Sequence, residues 1–158
     1  MLERLLPVAL ALFTMSCARA AEFNLSAGAS ATVGVRWAPA AFLDIGTDSH
    51  EWAGLHWQPV ATLGWIGSRD DARDHLDHDV ALAGAGVRLV DWWGGAFVGI
   101  EAGYVDARTD ALSSHEQFIS SLGWRGERFV VMARHISNAD LFGGRNLGET
   151  MVLVGVVF

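Results

Sequence analysis

The chain has 158 residues, 51% of them hydrophobic, and carries a formal net charge of −7 without a single lysine. This length suits one domain, and an acidic chain with no basic run argues against nucleic acid as a partner. After the N-terminal segment, no apolar run reaches the roughly 20 residues that a membrane-spanning helix needs. A membrane protein with this sequence would therefore have to be a β-barrel, which satisfies its backbone hydrogen bonds between strands.

Residues 1–20 have the layout of a secretory signal peptide. A short charged start is followed by an apolar run and by Ala18-Arg19-Ala20, a small-x-small cut site. Cleavage after Ala20 removes two arginines and one glutamate, which leaves residues 21–158 with a net charge of −8. The single cysteine, Cys17, leaves with the signal, so the mature domain cannot form a disulfide. A lipoprotein cut before Cys17 is the alternative.

Residues 23–37 alternate apolar and small or polar side chains, which is typical of two-faced β-strands. We predict two strands here, with a turn around residues 28–30; a soluble sandwich with one wet face stays open for this segment. Residues 38–52 are interpreted as a long connection, with or without a short helix. A strand follows at 54–67, in which Pro59 predicts a bulge or a bend.

A charged loop at 68–79 precedes five more apolar segments, at 80–90, 96–105, 116–124, 128–137 and about 148–158. The breaks between them alternate between short and long, the total is eight strands, and the tryptophans lie mostly near strand ends. Short turns on one side, long loops on the other, aromatic girdles and a terminal Phe158 are typical of bacterial outer-membrane barrels. The sequence therefore predicts an all-β, eight-stranded antiparallel outer-membrane β-barrel.

The end of the seventh predicted strand carries a chemical pattern. His135 and Ser137 are two residues apart, so they share one face of a strand, and Arg134 belongs in the polar lumen. This places His135 and Ser137 on the lipid face. Glu149, across the next loop, can orient the imidazole, so nucleophile, base and orienter occur in the chain order His, Ser, Glu. The last strand is apolar on both faces, so the direction of Glu149 stays open: alternation turns it inward if Phe158 faces lipid, and a bulge near Thr150 would turn it outward.

This stretch resembles the lipid A 3-O-deacylase family (PagL-type outer-membrane enzymes), whose motif reads His-x-Ser-Asn with a downstream Glu. His135, Ser137, Asn138 and Glu149 fall on those positions. The resemblance implies an outer-membrane esterase that uses no cofactor and removes a 3-O-hydroxyacyl chain from lipid A, with lipopolysaccharide as substrate. It also implies that Asn138 and the backbone amide of Asp140 hold the oxyanion. The family usually has glycine where this chain has Asp140.

Other interpretations stay open at this point. A non-catalytic barrel acting as an anchor or adhesion module is the main rival, and a surface esterase acting on other lipids is a third option. Arg145 contacts a lipid phosphate or is a plain surface residue. The acidic run 70–79 with His75 and His78 offers ligands for a divalent cation, but a solvated loop is favoured, so we expect no metal. The acyl chain length and a homodimer are left undecided.

Overall fold

The computed structural model describes residues 21–32, 36–141 and 147–158. The predicted signal peptide, the alternative cut at Cys17 and the candidate phosphate ligand Arg145 lie outside the described residues and stay predictions.

Nine strands form one antiparallel sheet that closes on itself. They are β1 Glu22–Thr32, β2 Arg36–Gly46, β3 His50–Trp52, β4 Leu55–Ile66, β5 Val80–Val90, β6 Ala96–Val105, β7 Glu116–Arg125, β8 Phe129–Ser137 and β9 Glu149–Val157. Eight of them make the barrel wall, because β1 pairs with both β2 and β9 while β2 also pairs with β4; the short β3 only extends the start of β4. The predicted eight-stranded antiparallel barrel is confirmed. In the part of the chain that the structure describes, no helix is long and apolar enough to cross a membrane.

The two ends of the barrel differ. The terminal end holds the start of β1, the end of β9 and the short turns 91–95 and 126–128; the loop end holds the connections 67–79, 106–115 and 138–148. The predicted alternation of short and long connections holds from residue 67 onward. The connection between β2 and β4, residues 47–54, is an exception, because it lies at the terminal end and is longer than the two turns there. At the terminal end the backbones of Phe23 and Phe158 exchange two hydrogen bonds of 2.9 Å, and their rings stack with centroids 6.1 Å apart.

The prediction for the first two strands was wrong in its boundaries. No turn interrupts β1 at residues 28–30, and β2 occupies residues 38–46 of the segment 38–52 that the sequence pattern indicated to be a connection. The remaining connection, residues 47–54, contains the short strand β3 and no helix. Gly28 looked like a turn residue, but a Cβ on it would collide with the backbone carbonyl of Val152 on β9. Its role is to allow the close approach of two strands.

Two prolines sit in barrel strands without breaking a ladder. The carbonyl of Pro59 accepts a hydrogen bond from Thr47, so its nitrogen also faces β2, at the point where the β2–β4 ladder ends. The pairing of β4 with β5 runs through Pro59 without a bulge. The irregularity that Pro59 accompanies lies on the opposite edge of β4. There the partner of β4 changes from β2 to β3, and the pairing register shifts by one residue. Pro39 is placed in the same way, with its carbonyl accepting from Gly67.

The lumen is filled by side chains, and a charged network crosses it. Asp44 on β2 is only 1% exposed and accepts hydrogen bonds from four side chains on four other strands. These donors are Asn24 at 3.2 Å, Thr62 at 2.9 Å, Arg88 at 3.1 Å and Arg134 at 2.9 Å. A buried carboxylate is tolerated when it is paired and hydrogen-bonded in this way. The predicted inward orientation of Arg134 is confirmed.

The loop end of the lumen is closed by the connections themselves. Leu76 from the connection 67–79 and Ala111 and Leu112 from 106–115 are buried in the same hydrophobic cluster as the inward residues of the strands. Their backbones interlock, because the amide of Asp110 donates to Asp74 at 3.1 Å. The long connections therefore fold over the mouth of the barrel.

We predict that Asp44→Asn lowers the free energy of unfolding by about 3–5 kcal/mol, because two buried arginines lose their common carboxylate. Urea unfolding followed by tryptophan fluorescence measures it. Asp48→Asn, which changes an exposed carboxylate close by in the chain, is the matched control and should leave the midpoint unchanged. Equal midpoints for the two variants would contradict the central role of Asp44.

A second prediction concerns acid. The pKa of Asp79 lies below its ordinary value because its carboxylate accepts hydrogen bonds from the backbone N–H of Ser68 at 2.8 Å and from the indole N–H of Trp65 at 3.1 Å. The stabilisation is complete above the unfolded value of about 3.9 and is lost as the pH falls through the lower folded value. The NMR signal of the Trp65 indole N–H should therefore shift only below about pH 4. In Asp79→Asn that acid shift should vanish, and an unchanged titration would contradict the assignment.

Candidate active site

The outer wall of the barrel is almost entirely apolar. The outward side chains include many exposed large hydrophobic residues, among them Leu25, Leu63, Val87, Ile100, Leu122, Val131, Val152 and Val154. Within the described strands, the outward positions of the eight-stranded wall that carry polar side chains are Glu116 and Tyr104 near the loop end and a group of four. These four are Ser120, His135, Ser137 and Thr150, and we refer to them as the outer polar patch.

The strand register brings the outer polar patch together. Ser120 on β7 pairs directly with His135 on β8, and His135 pairs directly with Thr150 on β9. Directly opposed side chains of neighbouring strands have Cβ atoms about 4.5–5.5 Å apart. Ser137 lies two residues beyond His135 on the same face of β8, toward the loop end. The predicted shared face of His135 and Ser137 is therefore observed, and it is the outward face.

The imidazole of His135 is exposed and is bound on its β9 side. Its Nδ1 lies 2.8 Å from the hydroxyl of Thr150. Among the described residues, no hydrogen bond or ion pair joins the ring to an acidic side chain. When Nδ1 carries the proton and donates it to Thr150, Nε2 has a free lone pair and can act as a base. Ser137 is half-buried, and the structure gives no hydrogen bond between its hydroxyl and the imidazole.

Glu149 does not take the predicted place beside His135. The pairing of β8 with β9 continues without a bulge as far as Ile136 and Glu149, so Glu149 faces the lumen and is only 2% exposed. Its carboxylate binds the guanidinium of Arg69 through two contacts of 2.8 and 2.7 Å and accepts a hydrogen bond from Ser30 at 2.5 Å. Glu149 is thus on the opposite face of the sheet from the imidazole that it was expected to orient. The physical reason is the unbroken two-residue alternation of β9.

The two predicted oxyanion donors are bound to other groups. The Asn138 side chain is buried and donates to the hydroxyls of Ser113 and Ser114 at 3.0 and 3.2 Å. Its carbonyl oxygen accepts the backbone N–H of Asp140 at 2.9 Å, so the two donors form a local turn with each other. Asp140 has a φ of +62°, the left-handed region that glycine adopts without strain. This conformation explains physically why glycine suits the position.

A shallow groove of about 280 Å³ runs along the wall next to His135. It is lined by Val98, Gly99, Ser120, Ser121, Leu122, Ala133, Arg134, His135 and Thr150. A pocket of about 750 Å³ lies at the terminal end between the turns 91–95 and 126–128, but no histidine, serine or cysteine lines it. Only the first of these two cavities combines an apolar lining with groups capable of hydrolytic chemistry.

Two histidines of the loop end, His75 and His78, each lie close to a carboxylate. His75 and His78 each have Nδ1 3.3 Å from a carboxylate oxygen, of Asp110 and Asp77 respectively. Among the described residues, no three histidine, cysteine, aspartate or glutamate side chains converge in a way that could hold an ion.

Two members of the outer polar patch, Ser120 and Thr150, were not predicted from the sequence as site residues. Each is a polar residue at an outward position of a strand whose other outward residues are apolar. That signal is readable only after the faces of β7 and β9 are assigned. No protein-family model, no curated protein and no solved structure matches this chain.

The contacts of Glu149 predict a structural coupling with Arg69. Breaking this buried pair from one side, with Arg69→Met or Glu149→Leu, should lower the free energy of unfolding by about 3–5 kcal/mol. The double variant should lose clearly less than the sum of the two single losses, because it removes both charges of the pair together. Urea unfolding in detergent micelles measures all four proteins. Additive losses would show that the pair does not act as a unit.

Proposed function

We propose that this barrel resides in the bacterial outer membrane and removes an ester-linked 3-O-hydroxyacyl chain from lipid A by serine-nucleophile catalysis at the outer polar patch. The observation that carries the proposal is the clustering of Ser120, His135, Ser137 and Thr150 on a wall whose other outward side chains are apolar, apart from Glu116 and Tyr104 near the loop end. A polar group facing lipid is costly, and such groups are usually functional.

Three features of the barrel support the membrane location. Its wall strands have 9 to 12 residues, which is close to the length a tilted strand needs to cross the hydrocarbon core. Apart from the outer polar patch, the outward side chains between the strand ends are apolar. Exposed tryptophans lie at both ends, with Trp37 and Trp65 at the loop end and Trp52, Trp92 and Trp93 at the terminal end. Long loops on one side and short turns on the other favour an external loop end.

The position of the outer polar patch favours a lipid as substrate. Ser137 is the last residue of β8, and Thr150 is the second residue of β9, so the patch lies just below the loop end. At this depth in the outer leaflet, the acyl esters of a glycolipid come within reach of the wall. The groove beside His135 offers Val98, Leu122 and Ala133 to an acyl chain.

The proposed chemistry is acyl transfer in two steps. Nε2 of His135 takes the proton of Ser137, whose oxygen attacks the ester carbonyl; the tetrahedral intermediate then expels the sugar hydroxyl, which receives the proton from the imidazolium. Water attacks the acyl-enzyme with the same base and releases the fatty acid and free Ser137. The oxyanion needs donors, so substrate binding has to free the amide of Asn138 from Ser113 and Ser114.

A barrel without catalytic activity is the second candidate, and one observation favours it. The carboxylate of Glu149 is bound to Arg69 inside the lumen, so the acid of the expected triad does not touch His135. For this second candidate the outer polar patch carries out no chemistry, and the barrel serves as an anchor or adhesion module.

Mass spectrometry of lipid A from a Gram-negative host expressing the chain distinguishes the two candidates. The wild type should convert lipid A to a species lighter by one hydroxyacyl group, and Ser137→Ala or His135→Ala should reduce this conversion by at least about 10³-fold. Ser49→Ala and His50→Ala are matched controls, because they change exposed residues of the same types at the terminal end. An unchanged lipid A profile with correctly inserted wild type would reject the esterase and favour the anchor.

A further inference from the structure

We infer that Thr150 and Gly148 are the positioning residues of His135: Thr150 holds the proton on Nδ1, and Gly148 leaves the space in which Nε2 approaches Ser137. This inference rests on the proposed function and deepens it, because it assigns the role expected of Glu149 to a neutral hydroxyl on the outer face.

The contact with Thr150 is set by the ladder. Thr150 is the directly opposed partner of His135, and the 2.8 Å distance from Oγ1 to Nδ1 is that of a good hydrogen bond. Threonine is β-branched and therefore stiff at χ1, so its hydroxyl direction is well defined. A neutral imidazole has one N–H, and placing it on Nδ1 leaves Nε2 as the basic nitrogen. A hydroxyl orients the ring but adds no negative charge to stabilise the imidazolium.

Gly148 explains where Nε2 points. A Cβ on Gly148 would lie 2.7 Å from Cε1 and 3.1 Å from Nε2 of His135, so the ring edge occupies the space that any other residue would fill. The β8–β9 register, continued by one residue, sets Gly148 opposite Ser137. The ring therefore leans toward β9 and toward the loop end, where Ser137 lies, and away from Ser120 on β7.

Gly148 is also held in place by its surroundings. Its φ of +69° is in the left-handed region, and its amide donates to the carbonyl of Ala111 at 2.9 Å. The connection 106–115 that closes the lumen therefore also fixes the backbone against which the His135 ring rests.

Kinetics on lipid A in detergent micelles test the role of Thr150. Thr150→Val keeps the shape and removes the hydroxyl, so kcat should fall roughly 10- to 100-fold while KM changes little, since the misplaced group is the base and not a substrate contact. Thr150→Ser, which keeps the hydroxyl, should retain most of the wild-type kcat. A purely structural role of Thr150 would not predict this difference between the two variants. A wild-type kcat in Thr150→Val would overturn the inference.

Gly148→Ala has a matched control in Gly94→Ala. Both glycines have positive φ, +69° and +56°, but a Cβ on Gly94 would meet nothing within 4 Å. Both variants should suffer similar backbone strain, and only Gly148→Ala should lose kcat. Equal kcat values in the two variants would show that the space beside the ring is irrelevant.

Nitrogen NMR of His135 in micelles, assigned by difference from His135→Ala, gives a readout that does not depend on turnover. The wild type should show the proton on Nδ1, and Thr150→Val should populate both tautomers. A wild-type proton on Nε2 would overturn the inference even if the enzyme is active. A wild type with the Nδ1 tautomer that leaves lipid A unchanged would instead reject the proposed function, and with it the catalytic role of Thr150.

Discussion

The site depends on the unbroken two-residue alternation of the ladder between β8 and β9. With His135 opposite Thr150 and Ile136 opposite Glu149, neighbouring residues of one short segment are sent to opposite faces of the barrel wall. A shift of one residue would exchange the faces of every side chain in β9. Because both neighbours of β9 are continuously paired with it, no local bulge relieves this constraint. The acid is thereby committed to the lumen and the hydroxyl to the outer wall.

The two faces solve different electrostatic problems. Inside the lumen, charged groups are removed from water and are stable only when they are paired. Asp44 accepts hydrogen bonds from Arg88 and Arg134, and Glu149 binds Arg69 in two contacts. The second pair ties the connection 67–79 to the start of β9. Outside, the wall carries apolar side chains, and its few polar residues are gathered at one place near the loop end. The start of β9 therefore has two roles. Glu149 holds the connection 67–79 at the mouth of the lumen, and Thr150 contributes a hydroxyl to the outer surface.

The motif residues are consequently divided among three environments. His135 and Ser137 face outward, Glu149 lies within a buried ion pair, and Asn138 and Asp140 form a turn whose donors are used locally. The motif spacing along the chain therefore resembles that of the family, whereas the side chains of the motif do not all lie together in space. For the proposed esterase it means that the imidazole relies on a neutral partner and that the oxyanion donors must be released by the substrate.

Period-two alternation and the lengths of the breaks were enough to predict eight strands, their antiparallel closure, the long connections at one end, and the outward placement of His135 and Ser137 opposite the inward Arg134. These properties are local, because each strand shows its own two faces. The end of the first strand was mispredicted because glycine is a common turn residue, so Gly28 was placed in a turn. Its actual role, a close contact with the backbone of β9, arises only when strands distant in the sequence meet. The direction of Glu149 was undetermined because β9 is apolar on both faces. The strand register brings Ser120 and Thr150 next to His135, and the folded connection 67–79 brings Arg69 to Glu149. Sequence alone could not predict these contacts, because the partner of a buried charge is determined by which side chains meet in the folded barrel.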